Sequence, residues 1–232
     1  MKVQSYWSHT FLPELIRRDG VVFDFGSNNG GFCKLVAPLC HRVMCLEPDP
    51  HWKDRGILHP ENAVVFHKAL AAKRGVVRLN LNPKTCSSMH YADTDSRLVE
   101  VQAITLADAT ALMPSERIEL IKMDIEGEEV AVLRDAPNEI LLKVAQLTVE
   151  FHDFLDPAST PAIIAVIKRM QSLGFHAIRF SWHSYGDLLF VNQRLERLSL
   201  WQRADLLIVH KYGRGFGRIA HRILQNANSL VR

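Results

Sequence analysis

The chain has 232 residues, 47% of them hydrophobic and 23% charged, enough to bury a sizeable core and unlike a disordered or collagen-like chain. No apolar run approaches the roughly 18 residues of a spanning helix, and the first twenty residues lack the apolar core of a secretory leader. The formal net charge of +3 is unevenly placed: the last forty residues carry eight basic and two acidic side chains, which leaves residues 1–192 net acidic. Such a body is a poor match for a nucleic acid gripped over a whole face, so no nucleic acid partner is expected. Cys33, Cys40, Cys45 and Cys86 show neither CxxC spacing nor the density of a disulfide scaffold, which points to a reducing, cytoplasmic setting.

Residues 1–19 read as an N-terminal helical extension, 20–192 as the main domain and 193–232 as a basic helical tail. Within the domain, short apolar runs alternate with helical periodicity, the pattern of a doubly wound α/β sheet. The first strand is Val21 to Phe25, followed by a helix from about Gly31 to Leu39. Arg42 to Glu47 forms a second strand, Asp49 opens a short helix closed by Pro60, and Ala63 to His67 is a third strand. Residues 71–117 interrupt the alternation as a β insertion, with strands at Gly75 to Asn82 and Leu98 to Leu106 around a polar loop. Ile118 to Met123 is then a buried strand, Glu126 to Asp135 a helix and Val144 to Glu150 a strand. A helix capped at Thr160-Pro161 carries the stripe Ile163, Ile164, Val166, Ile167, Met170 and Leu173 up to Gly174. His176 to Phe180 and Asp187 to Val191 close the sheet as a hairpin-like pair, which makes seven core strands.

Asp24-Phe25-Gly26-Ser27-Asn28-Asn29-Gly30-Gly31 stands where a strand turns into a helix, so small residues and free helix N–H groups can meet a ligand. Glu47 ends the next strand, 23 residues after Asp24, where a carboxylate can accept both hydroxyls of a ribose. Dinucleotide and S-adenosylmethionine (SAM) sites share that pairing. The glycine spacing is not G-x-G-x-x-G, and Asp24 would repel a pyrophosphate while it could pair with a sulfonium or ammonium. SAM therefore fits better than NAD. His67-Lys68-Ala69-Leu70 ends the third strand on the same edge, where Lys68 and Ala69 could border an adenine.

Ile121-Lys122-Met123-Asp124-Ile125-Glu126-Gly127-Glu128-Glu129 should present Asp124 across the cleft from the glycine loop, with the glutamates in a first helical turn and Glu128 and Glu129 solvated there. At this point the sequence resembles the FkbM family of SAM-dependent methyltransferases. The resemblance rests on VVFDFGSNNGGF, LEPDP at 46–50, HKAL, IKMDIEGEE at 121–129 and VEFH at 149–152. It implies a class I, Rossmann-like seven-stranded sheet with its last strand antiparallel. It also implies methyl transfer from SAM, leaving S-adenosylhomocysteine (SAH), to a hydroxyl of a sugar, glycolipid or natural product. By position, Asp24, Gly26, Ser27, Asn28, Gly30, Phe32, Glu47, Pro48, Lys68, Ala69 and Asp124 would hold the cofactor. Cys86-Ser87-Ser88 resembles a serine-containing stretch of many members.

A hydroxyl acceptor benefits from a positioned base, for which Asp124, Glu150 and His152 are candidates, with Lys122 tuning their charge. Asp124, Glu126, Glu150 and His152 suit a divalent ion chemically but lack a recognised ligand spacing, so a divalent metal is compatible with the set and not predicted. Tyr6, Trp7, Trp182 and Trp201 are candidates to line an acceptor pocket. From Gly213 to Leu230 the apolar residues repeat at helical spacing, with Arg214, Arg218 and Arg222 opposite. That basic amphipathic stretch suits self-association or a peripheral membrane contact. The competing readings are a SAM-fold scaffold without catalysis and an N- or RNA-directed methyltransferase.

Overall fold

The computed structural model describes residues 1–49, 58–81 and 97–206. The short helix expected from Asp49, the loop holding Cys86 to Ser88, and the basic stretch from Gly213 lie outside them.

The chain begins with a hairpin, β1 (Gln4–Tyr6) and β2 (His9–Phe11), where a helical extension was expected. Ser5 pairs Thr10 and Tyr6 pairs His9 across a two-residue turn, and all of β2 is buried against the rest of the fold. A 3-10 turn at Pro13–Leu15 then leads into β3 (Val21–Phe25). Next come α1 (Gly31–Val36), extended by a 3-10 turn at Ala37–Leu39, then β4 (Arg42–Leu46) and β5 (Ala63–Phe66).

Three strands follow as a separate sheet: β6 (Ala69–Leu70), β7 (Gly75–Leu81) and β8 (Arg97–Ile104), with β8 in the centre. A helix not expected from the sequence, α2 (Leu106–Leu112), starts at Thr105, whose hydroxyl and the Asp108 carboxylate cap each other's backbone. The main sheet resumes with β9 (Ile118–Met123), α3 (Glu129–Asp135), α4 (Asn138–Leu141) and β10 (Gln146–Val149). Last come α5 (Thr160–Ser172), β11 (Phe175–Arg179), β12 (Leu188–Asn192) and α6 (Leu200–Asp205).

The seven-stranded sheet runs β11-β12-β10-β9-β3-β4-β5. Strands β3, β4, β5, β9 and β10 are parallel, and β12 pairs antiparallel with both neighbours. Side chains alternate between the two faces. Phe23, Phe25, Ile121 and Met123 enter the larger core with α3 and α5, whereas Val22, Val43 and Leu120 pack with α1. On α5, Ile163, Val166 and Met170 are buried, but Ile164 of the expected stripe is exposed. Its start also differs: Asp156 caps a 3-10 turn at Pro157–Ser159, which continues into the helix at Thr160.

α3 starts three residues later than the periodicity suggested. Glu126 and Gly127 take left-handed backbone at φ +56° and +111°. The Glu129 carboxylate folds back to accept the N–H groups of Ile125 and Gly127. Glu129 is therefore 1% exposed rather than solvated. No helix among the described residues is long and apolar enough to cross a membrane.

The N-terminal segment is fastened to the sheet by a buried amide. Gln146 Oε1 accepts from Leu12 N at 2.9 Å while its Nε2 donates to Leu12 O at 3.1 Å. Gln146→Leu strands both main-chain groups away from water and should cost about 2–4 kcal/mol of stability. Urea denaturation checks this, and a loss below about 0.5 kcal/mol, far under that cost, would show that the clamp is idle.

Candidate active site

Five parallel strands deliver their carboxyl ends to one edge, and β11 and the start of β12 reach the same edge through the register Arg179↔Leu188 and Val149↔Leu188. At that edge β3 ends in the glycine loop. Gly26 and Ser27 both donate to Leu46 O, and Gly26 takes φ +74°. A Cβ there would stand 1.7 Å from the Asp124 carbonyl oxygen, so only glycine lets β3 and β9 approach this closely. Asn28 and Gly30 also adopt left-handed backbone, turning the chain into α1. Asn28 N donates to Glu47 Oε2 at 2.7 Å, and Asp49 N donates to Glu47 Oε1 at 3.0 Å. Those two bonds orient the carboxylate and leave acceptor sites on both oxygens. Burial pushes the Glu47 carboxyl up to about 7, against those two N–H groups. Pro48, next to it, is half-buried.

Lys122 is the hub of the loop. Its buried Nζ donates to Gly26 O at 2.5 Å and Phe25 O at 3.3 Å, and it stands 3.6 Å from Asp24 and 3.5 Å from Asp124. Burial alone would lower the ammonium's pKa, yet the charges of Asp124, Asp24 and Glu47 raise it above its ordinary value. Lys122 therefore stays a cation. Among the described residues, the Asp24 carboxylate has the Lys122 ion pair at 3.6 Å but no close hydrogen-bond partner, and the buried Ser27 hydroxyl has none either. These acceptors fit a polar, cationic ligand better than an anionic one.

Around Asp124 lie three titratable groups in different states. Burial would raise the Asp124 carboxyl, but Lys122 and His9 hold it well below the usual carboxylate range, so it is ionised. Burial and the Asp124 charge push Glu150 up to about 7. His152 is wedged between Glu126 Oε2 and Glu129 Oε1, each 3.3 Å away. Burial opposes its protonation, but these carboxylates raise it to about 11, making it an imidazolium at neutral pH.

His9, on β2, is the residue that sequence reasoning missed. Its Nε2 lies 3.4 Å from Asp124 Oδ2 and 3.7 Å from Glu150 Oε2, while Nδ1 is buried without a hydrogen-bond partner among the described residues. Burial lowers its pKa to about 4, against the Asp124 hydrogen bond, so the ring is neutral. A proton on Nδ1 would be stranded at a cost of about 1–3 kcal/mol, which places it on Nε2, facing the carboxylates. Nothing local marks this histidine, since Ser8, His9 and Thr10 are all polar and give no period that would name a partner.

Phe32 is 2% exposed and meets Tyr6, His9 and Phe11 edge-on at 5.6–6.2 Å. Its ring supports the hairpin and is shut off from the cleft. Tyr6 lies over the loop, its hydroxyl 1.8 Å from where a Gly31 Cβ would stand. Lys68 follows β5, and Ala69 pairs Ala103 in the small sheet, buried.

Beside Glu150 opens a cavity of about 680 Å³, lined by Trp7, Ser8, Phe154, Phe180, Ser181 and Asp187 among others. Trp7, at the hairpin tip, holds a left-handed φ of +51° and is 87% exposed. Trp182 is partly exposed, and Trp201 projects from α6. Among the described residues, three sets of donor atoms lie close enough for a metal: His9, Asp124 and Glu150; Asp124, Glu129 and His152; and Cys33, Cys45 and His59. Asp124 belongs to the first two, and the Lys122 ammonium 3.5 Å from it would oppose a divalent ion there.

Among solved structures the chain is similar to an FkbM methyltransferase from Methylobacillus flagellatus, at 15% identity and TM-score 0.46, over 75% of this chain but 43% of that one. It is similar to human methyltransferase-like protein 13 in complex with SAH, at 13% identity and TM-score 0.47, over 84% and 82% of the two chains. An rRNA methylase from Streptococcus thermophilus shows 13% identity and TM-score 0.42, over 77% and 88%. No curated protein matches the sequence significantly. The family model of the methyltransferase FkbM domain matches residues 24–177, from Asp24 at the end of β3 into β11, and the chain belongs to that family.

Proposed function

We propose that the chain transfers the methyl group of SAM to a hydroxyl oxygen of a small-molecule, glycan or glycolipid acceptor, with Glu150 as the base. The observation that carries this reading is the pair Asp124 and Glu150, two carboxylates in one cleft whose surroundings drive their proton affinities apart. One is fixed as an anion, and the other is poised to take a proton near neutral pH beside a cavity large enough for an acceptor.

SAM, when bound, supplies a methyl group on a cationic sulfur with a good leaving group. Gly26, Ser27, Asn28 and Gly30 would hold its methionine part, Glu47 its ribose hydroxyls, Pro48, Lys68 and Ala69 its adenine side, and Asp24 and Asp124 its positive charge. The rest is alignment and proton removal. Glu150 accepts the hydroxyl proton of the acceptor, while Trp7, Phe154 and Phe180 offer aromatic faces on which a sugar ring can stack. His152, already protonated, orders Glu126 and Glu129 rather than serving as base. Three buried free thiols, Cys33, Cys40 and Cys45, suit a cytoplasmic location. The basic C-terminal stretch would serve self-association or a membrane surface.

Calorimetry with SAM and SAH tests the cofactor. Micromolar binding by the wild type should be lost in Glu47→Ala, and a folded wild type that binds neither would leave a non-catalytic scaffold as the reading. In an acceptor screen reading SAH release, Glu150→Gln should lower turnover about 100-fold or more while SAH affinity changes little. Wild-type turnover should rise as pH passes upward through about 7, because the base must lose its proton to act. A profile flat from pH 5 to 9 would remove Glu150 from the role.

A further inference from the structure

We infer that His9, carried by the N-terminal hairpin, is a positioning residue that sets the two cleft carboxylates to different tasks. Its Nε2–H lies between Asp124 and Glu150 and steadies the ionised form of Glu150. The inference rests on Glu150 being the base.

The matched family segment begins at Asp24, so the hairpin lies outside it. Yet the hairpin is held to the cleft at several points. Thr10 donates from its backbone and hydroxyl to Asp187 at 3.1 and 2.7 Å, Gln146 grips Leu12, and Phe32 braces the His9 ring edge-on at 6.1 Å. His9 thus has little freedom, and its one polar edge faces two carboxylate oxygens at 3.4 and 3.7 Å.

The charged groups around Glu150 show why a donor is needed there. Asp124 and Glu126, from the turn after β9, raise its proton affinity, whereas His152, following β10, and the Ser8 hydroxyl of the hairpin lower it. The Lys122 ammonium on β9 stands closest to the backbone of Gly26 and to Asp24 and Asp124. His9 places one ring nitrogen between the two carboxylates, 3.4 Å from Asp124 and 3.7 Å from Glu150. Without its N–H, the Asp124 and Glu150 anions face each other with less compensation, and Glu150 holds its proton to higher pH.

Carboxyl carbon NMR of the full chain, labelled at the glutamate side-chain carboxyl and assigned through Glu150→Gln, reads this directly. In wild type Glu150 should titrate near 7. In His9→Phe the midpoint should rise by about one pH unit or more, a tenfold change in the ionisation constant. In His9→Gln, whose amide N–H can occupy the Nε2 position, it should return to within about 0.3 unit of wild type. An unchanged midpoint in His9→Phe overturns the inference, as does an equal shift in the Phe and Gln variants, which would mark His9 as packing only. If His9→Phe does not fold, His9→Asn, too short to reach the carboxylates, replaces it with the same expected rise. A wild-type midpoint in the ordinary carboxylate range instead overturns the base reading itself, whatever the variants do.

Discussion

The buried ammonium of Lys122 is the contact on which the cleft depends. Placing a charge at the centre of a hydrophobic sheet is costly unless several partners surround it. Here they are the carbonyls of Phe25 and Gly26 and the carboxylates of Asp24 and Asp124. Because Asp24 and Lys122 are register partners on adjacent parallel strands, the pair fixes how β3 and β9 end. That ending in turn decides where the glycine loop turns and where Asp124 emerges. Gly26 completes the arrangement, since nothing larger fits against the Asp124 carbonyl.

From this hub the electrostatics spread outward in alternating sign. Lys122 secures Asp124 as an anion, Asp124 raises its neighbour Glu150, and Glu126 with Glu129 turns His152 into a cation. Around Asp124 the charges are largely fixed, and Glu150 is the carboxyl there that burial and the Asp124 charge bring to about 7. Such a division suits a reaction in which the protein must hold a cation, align an acceptor and move a single proton.

Much of the frame was legible because parallel strands buried on both faces write themselves as short apolar runs. Val21–Phe25 and Ile118–Met123 begin and end where periodicity placed them. The places of the glycine loop and Glu47 were legible too, since each follows the end of a buried strand that the apolar runs mark. What stayed hidden has a common cause in long-range contacts. Nothing near Glu129 in the sequence says that its carboxylate bends back to the backbone of Ile125 and Gly127. Nothing near His9 says that Asp124 and Glu150 lie against it. The N-terminal residues read as helical because their partners, Gln146 and Asp187, are more than a hundred positions away. The helix after β8 is a different case: Thr105 followed by Asp108 is a capping signal that could have been read.

The span of those hairpin contacts has a consequence for how the molecule assembles. Thr10 meets a partner 177 residues further along and Leu12 one 134 residues further. Closing loops of that size costs entropy before any contact rewards it, so such pairings form late. On a ribosome the hairpin must wait until Asp187 has left the exit tunnel before the cleft can close around His9. The sheet core from β3 to β10 can condense while the chain is still growing. The cleft is thereby among the last parts of the molecule to be finished, because it waits on contacts that span most of the described sequence.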